Sequence, residues 1–171
     1  MWTFLAALAG GLVAILGSVV TTYYVQRQAL KTERRARATR AADEILAAVT
    51  ALRDLPNEPG TASRARWREW SDKKESLVNR IHAQVLLIPM PDLRERLAFV
   101  ADALLDPEDM RDFEGFTEMN SRFVLCREAL DCLGAYYRGE PLPPERPTTT
   151  RARAAIRQGH ELMHPDEPPG P

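Results

Sequence analysis

Residues 2–26 carry no charged side chain, and within them residues 4–20 (FLAALAGGLVAILGSVV) are apolar but for one serine. A helix over residues 4–25 is about 33 Å long at ~1.5 Å per residue, enough to cross a hydrocarbon core of roughly 30 Å. Tyr23 and Tyr24 then fall at the headgroups, where amphipathic rings are favoured. Arg27, Lys31, Arg34, Arg35, Arg37 and Arg40 follow, opposed in that stretch only by Glu33. The positive-inside bias places residue 27 onward in the cytoplasm, as expected of a single-pass protein of the cell membrane.

A cleaved secretory signal needs a basic leading region and a small-x-small site after its apolar core. The sole Ala-x-Ala here, Ala7 to Ala9, lies inside the apolar run, so a retained anchor is the expectation. A buried helix of a soluble protein fits less well than a lipid-embedded one, because the run ends in a basic cluster. Ala6, Gly10, Ala14, Ser18 and Thr22 repeat a small residue at every fourth position. Such a ridge lets membrane helices approach closely, which suggests a homo-oligomer or a partner helix.

Beyond the anchor the periodicity is helical. Ala38, Ala42, Ile45, Val49 and Leu52 form one apolar stripe, ended by Pro56, Asn57, Pro59 and Gly60. Thr61 or Ser63 caps a second helix with Trp67, Trp70, Leu77, Ile81, Val85 and Ile88 on one face, broken by Pro89 and Pro91. Asp92 and Glu95 resemble a capping box for a third, whose face is Leu93, Leu97, Val100, Ala101 and Leu104. A fourth starts at Asp106-Pro107, carries Met119, Phe123, Cys126, Leu130, Leu133 and Tyr137 at spacings of four and three, and stops at Gly139.

No window alternates with the period of a half-buried strand. The fold class is therefore all-α, with a transmembrane helix at 1–26 and a cytoplasmic three- or four-helix bundle at 27–139. Eight of the thirteen prolines lie in residues 141–171. Residues 140–171 thus read as a Pro-rich, mostly disordered tail with a short helix at 150–163.

Charge and motifs limit the function classes. With 23 basic against 24 acidic side chains the net charge is −1, which argues against a nucleic-acid partner. Cys126 and Cys132 lie six apart on one helix, about 9 Å along its axis and too far for a disulfide. Reduced, packed thiols suit a cytoplasmic domain.

His160-Glu161-Leu162-Met163-His164 formally matches the zinc-peptidase pattern H-E-x-x-H, in which two His on one helical face hold the metal and Glu activates its water. Gly159 before it, Pro165 directly after it and the lack of a spaced third ligand argue for coincidence, so neither a metal nor another cofactor is expected. The acidic group Asp106, Glu108, Asp109, Asp112 and Glu114 suits a helix N-terminus and lacks a calcium-loop pattern. His82 is expected to be a packed or rim residue.

No phosphate-binding glycine loop, nucleophile elbow or C-x-x-C occurs. The expectation is a non-catalytic interaction or scaffold module, partnered by the bilayer, by an unknown protein and by itself. Two alternatives are a membrane-tethered zinc hydrolase using His160, Glu161 and His164, and a sensor of anionic lipid using the basic run and Trp67.

Overall fold

The computed structural model describes residues 2–56, 63–105 and 118–163, with side chains for 22–56, 63–105, 122–154 and 156. Five helices follow in order: α1 Trp2–Arg53, α2 Arg64–Val85, α3 Pro91–Leu105, α4 Glu118–Arg138 and α5 Pro147–Met163. No strand occurs among the described residues, so the all-α expectation holds. The chain divides into two compact units, Met1–Thr39 and Arg40–Pro171, with α1 running through the division.

In the first unit every side chain from 22 to 37 is exposed. Glu33 pairs with Arg37 one turn later at 2.5 Å, the favourable order for an i,i+4 pair. The Thr32 and Thr39 hydroxyls donate to the carbonyls of Gln28 and Arg35, each at 3.0 Å. Among the described residues no helix is long and apolar enough to cross a membrane. The apolar run at 4–20 is helical in backbone, but its side chains lie outside the described residues, as do those of Ala6, Gly10, Ala14 and Ser18.

The second unit is a helical bundle whose core is set by the expected stripes. Ala42, Ile45, Val49 and Leu52 of α1 are completely buried. α3 packs against both α2 and α4, which places its apolar face, Leu93, Leu97, Val100, Ala101 and Leu104, at the centre of the unit. Burying such aliphatic side chains contributes roughly 1.5–3 kcal/mol each before conformational entropy is charged against it.

One expected face is shortened and another is turned. α2 buries Leu77, Ile81 and Val85 as expected, with Ile88 just beyond its end and Val78 beside them, but nothing before Leu77: Trp67 is 44% exposed. The first turns of α2 carry Arg64, Arg66, Arg68 and Glu69, which keep that end in solvent. On α4 the expected Phe123 and Tyr137 are 54% and 43% exposed. The buried stripe runs through Arg122, Leu125, Cys126, Ala129, Cys132 and Leu133, keeping the expected Cys126 and Leu133 but centred about 80° away at ~100° per residue. Two charged residues on the inner face, Arg122 and Glu128, disguise that stripe in the sequence.

Helix ends also differ in detail. Ser63 precedes α2 without a side-chain capping bond. Pro91 occupies the first position of α3 instead of merely ending α2, so Asp92 lies in the first turn and does not cap. Gly139 closes α4 as expected: at φ +68° it allows Glu140 N–H to bond Ala135 O at 3.0 Å and its own N–H to bond Tyr136 O at 3.1 Å. The expected α4 start at Asp106-Pro107, and the acidic group around it, lie outside the described residues.

The largest correction concerns the tail. The short helix expected at 150–163 is present and starts three residues earlier, at Pro147, but it is no isolated element: Thr149 and Ala152 are buried, and Leu142 and Ile156 pack against the core. Prolines that suggested disorder instead hold 140–146 in a non-helical run and place Pro147 at the helix start.

Candidate functional site

The densest polar constellation in the second unit forms where that run crosses α3 and α4. Its centre is Glu128, a carboxylate only 2% exposed in the middle of α4. Arg96 of α3 approaches it to 3.4 Å, Arg146 to 3.7 Å, and the Thr149 hydroxyl of α5 donates to it at 3.5 Å. The buried anion is therefore held by groups from α3, from the proline run and from α5 together, as a buried charge requires.

The arginines are themselves shared. Arg96 Nη1 donates to Pro143 O at 2.5 Å and faces Cys132 Sγ at 3.7 Å. Arg146 also pairs with Asp131 of α4, which raises the guanidinium pKa further above its ordinary value. One turn into α5, Arg153 bonds Glu145 and Glu95, both at 3.1 Å, and lies over the Phe99 ring at 4.3 Å. Planar guanidinium groups suit such combined ion-pair and stacking contacts.

A buried arginine works at the other end of α4. Arg122 donates to Leu55 O at 2.8 Å and to Pro56 O at 3.2 Å, meeting carbonyls left over where α1 stops. The Trp70 indole N–H donates to the same Pro56 carbonyl at 2.9 Å, and the Lys74 ammonium stands over the Trp70 ring. His82 faces Asp102 across the α2–α3 contact at 3.3 Å, a rim pairing that spacing did not suggest.

The chemistry available here is binding and fastening. Burial pushes the Cys126 thiol up to about 12, and desolvation also raises Cys132 even though the bond from Arg96 pulls the other way. Both thiols are free, buried and protonated at neutral pH, so neither is an activated nucleophile. Glu128 is engaged by Arg96, Arg146 and Thr149. Among the described residues no group of three or more His, Cys, Asp or Glu is placed to hold a metal.

Tyr23, Tyr24, Arg27, Lys31, Arg34 and Arg35 are all exposed along the first unit of α1. Residues 160–163 of the H-E-x-x-H string continue α5 in backbone, while their side chains, and His164 altogether, lie outside the described residues. No protein family, curated protein or solved structure matches the chain.

Sequence reasoning missed Arg96, Arg122, Glu128, Arg146 and Arg153. A faint signal existed for Glu128: it stands three after Leu125 and four before Cys132, inside an apolar row. The arginines gave none, because their partners lie 8 to 67 residues away and on other elements.

Proposed function

We propose that this chain is a single-pass, membrane-anchored protein whose cytoplasmic helical bundle is a non-catalytic interaction or scaffold module. The observation that carries the reading is the charge-free run at 4–20, followed by exposed Tyr23 and Tyr24 and then by exposed Arg27, Lys31, Arg34 and Arg35. That order of apolar core, aromatic belt and basic flank is what a bilayer selects. The non-catalytic part draws support from the bundle itself, where buried ionisable groups are engaged with one another and both thiols are protonated. The stripe Ala6, Gly10, Ala14, Ser18 would pair the anchor with a second copy or a partner helix.

The test is fractionation and cross-linking of the full chain in its own membrane. The protein should stay with the membrane through alkaline carbonate washing, and deletion of residues 2–26 should release it. Cross-linking should then capture a defined partner or a second copy, with capture depending on residues 2–26. A full chain recovered in the carbonate supernatant would refute the anchor, and a bundle that cross-links to nothing when anchored would refute the scaffold.

A further inference from the structure

The first unit of α1 carries more cationic surface than an orientation signal needs, and it is arranged on one side. At about 100° per residue, Arg27, Lys31, Arg34 and Arg35 fall within an arc of about 100°, in two rows along the helix. Tyr23 and Tyr24 extend the same rows toward the amino terminus, and both rings are exposed, at 59% and 61%. On the far side Val25, Ala29, Thr32 and Ala36 stand beside Glu33.

The only acid between residues 27 and 40, Glu33, lies off this arc and is engaged with Arg37 at 2.5 Å. Arg27, Lys31, Arg34 and Arg35 have no acidic partner among the described residues. Four uncompensated cations beside two aromatic rings form an anion-binding face. Its rows start next to the apolar run, within a screening length of about 8 Å of where an anchored chain meets phosphate groups.

We infer that this face is a binding site for the headgroups of anionic phospholipids, with Arg27, Lys31, Arg34 and Arg35 as the phosphate ligands and Tyr23 and Tyr24 packed at the acyl boundary. The inference rests on the anchored reading proposed above and adds headgroup selectivity to it. A basic ring that only orients the helix would need Arg27 and Lys31. Arg34 and Arg35 lie roughly 10–12 Å further along the axis, beyond a headgroup layer of about 5–8 Å per leaflet, and because α1 is unbroken from Trp2 to Arg53 they reach it by a tilt of the helix toward this face with their side chains extended back toward the amino terminus.

The experiment is electron paramagnetic resonance on vesicles of phosphatidylcholine holding the full chain, doped in turn with spin-labelled phosphatidylglycerol and spin-labelled phosphatidylcholine. The motionally restricted fraction should favour phosphatidylglycerol by at least about fivefold, the ratio expected of one basic residue at an anionic surface. The preference should shrink in high salt, and should fall by a factor of two or more in both R27Q/K31Q and R34Q/R35Q. Equal restriction of the two lipids overturns the inference while leaving the anchor standing; no restricted lipid at all removes the anchor and the inference together. A preference untouched by R34Q/R35Q also overturns the four-cation site, and one abolished by a short duplex DNA at matched ionic strength reassigns the face to nucleic acid.

Discussion

Glu128 and Arg96 should respond unequally to replacement by methionine, because one is buried and the other is not. The Glu128 side chain is 2% exposed, whereas those of Arg96 and Arg146 are 21% and 38% exposed. In R96M the carboxylate stays buried with its nearest cation gone, leaving Arg146 at 3.7 Å and the Thr149 hydroxyl at 3.5 Å, while Pro143 O loses its 2.5 Å donor. Breaking a buried pair from the cation side costs about 3–5 kcal/mol. Arg146 remains, so about 3 kcal/mol is expected.

In E128M both arginines keep an acceptor, Arg96 on Pro143 O and Arg146 on Asp131, and each can reach water. The Thr149 hydroxyl and the weakly donating Cys132 thiol lose their carboxylate, and a methionine of similar length packs the site, so the cost is about 1 kcal/mol. The double variant should resemble E128M, giving a coupling of roughly 3 kcal/mol. Urea unfolding of the full chain in detergent micelles, followed by far-UV circular dichroism at constant m-value, measures all three. An R96M no less stable than E128M, or additive costs, would mean that Glu128 does not depend on Arg96, and the reasoning would fail.

Other substitutions and conditions probe separate links. Gly139→Ala should cost about 1 kcal/mol in the same assay, since φ +68° strains any Cβ although nothing stands within 4 Å of it; an unchanged midpoint would refute the turn. Arg122→Met should cost about 2 kcal/mol through the carbonyls of Leu55 and Pro56, and Trp70→Phe less than about 1 kcal/mol because Arg122 still serves Pro56; equal losses would contradict that division.

The thiols predict a pH profile. The folded chain holds the Cys126 proton up to about 12 and an unfolded thiol releases it near 9.0, so this contribution is complete below pH 9 and is lost as pH rises toward 12. The slope is at most about 1.4 kcal/mol per pH unit, and Tyr137, raised by burial and by Asp43, acts in the same direction. Iodoacetamide at pH 8 should leave Cys126 and Cys132 unmodified until urea unfolds the chain, and rapid native-state alkylation read by mass spectrometry would refute their burial.

Much of the bundle was legible from single residues. The α1 stripe and the α3 face are buried as periodicity implied, because spacings of three and four place those side chains on one line whatever the neighbours are. Gly139 was equally readable, since a left-handed turn selects glycine through local backbone sterics alone. Trp67 misled because an aromatic at helical spacing looks like core, whereas it is 44% exposed among the charged first turns of α2. Proline count misled in the tail, since it reports an inability to make regular hydrogen bonds and says nothing about what a chain segment packs against.

By itself, then, the sequence determined the helical class, the breaks between helices, the principal stripes of α1 and α3, and the apolar run with its basic flank. All of these follow from interactions between residues a few positions apart. Only the tertiary structure decided which side of α4 faces inward, that residues 140–163 belong to the bundle, and that Arg96, Arg146 and Thr149 converge on Glu128. A buried charge is tolerable only beside its partners, and here they come from α3, the proline run and α5, brought together by chain reversal at Gly139 and by packing of α3 on α4.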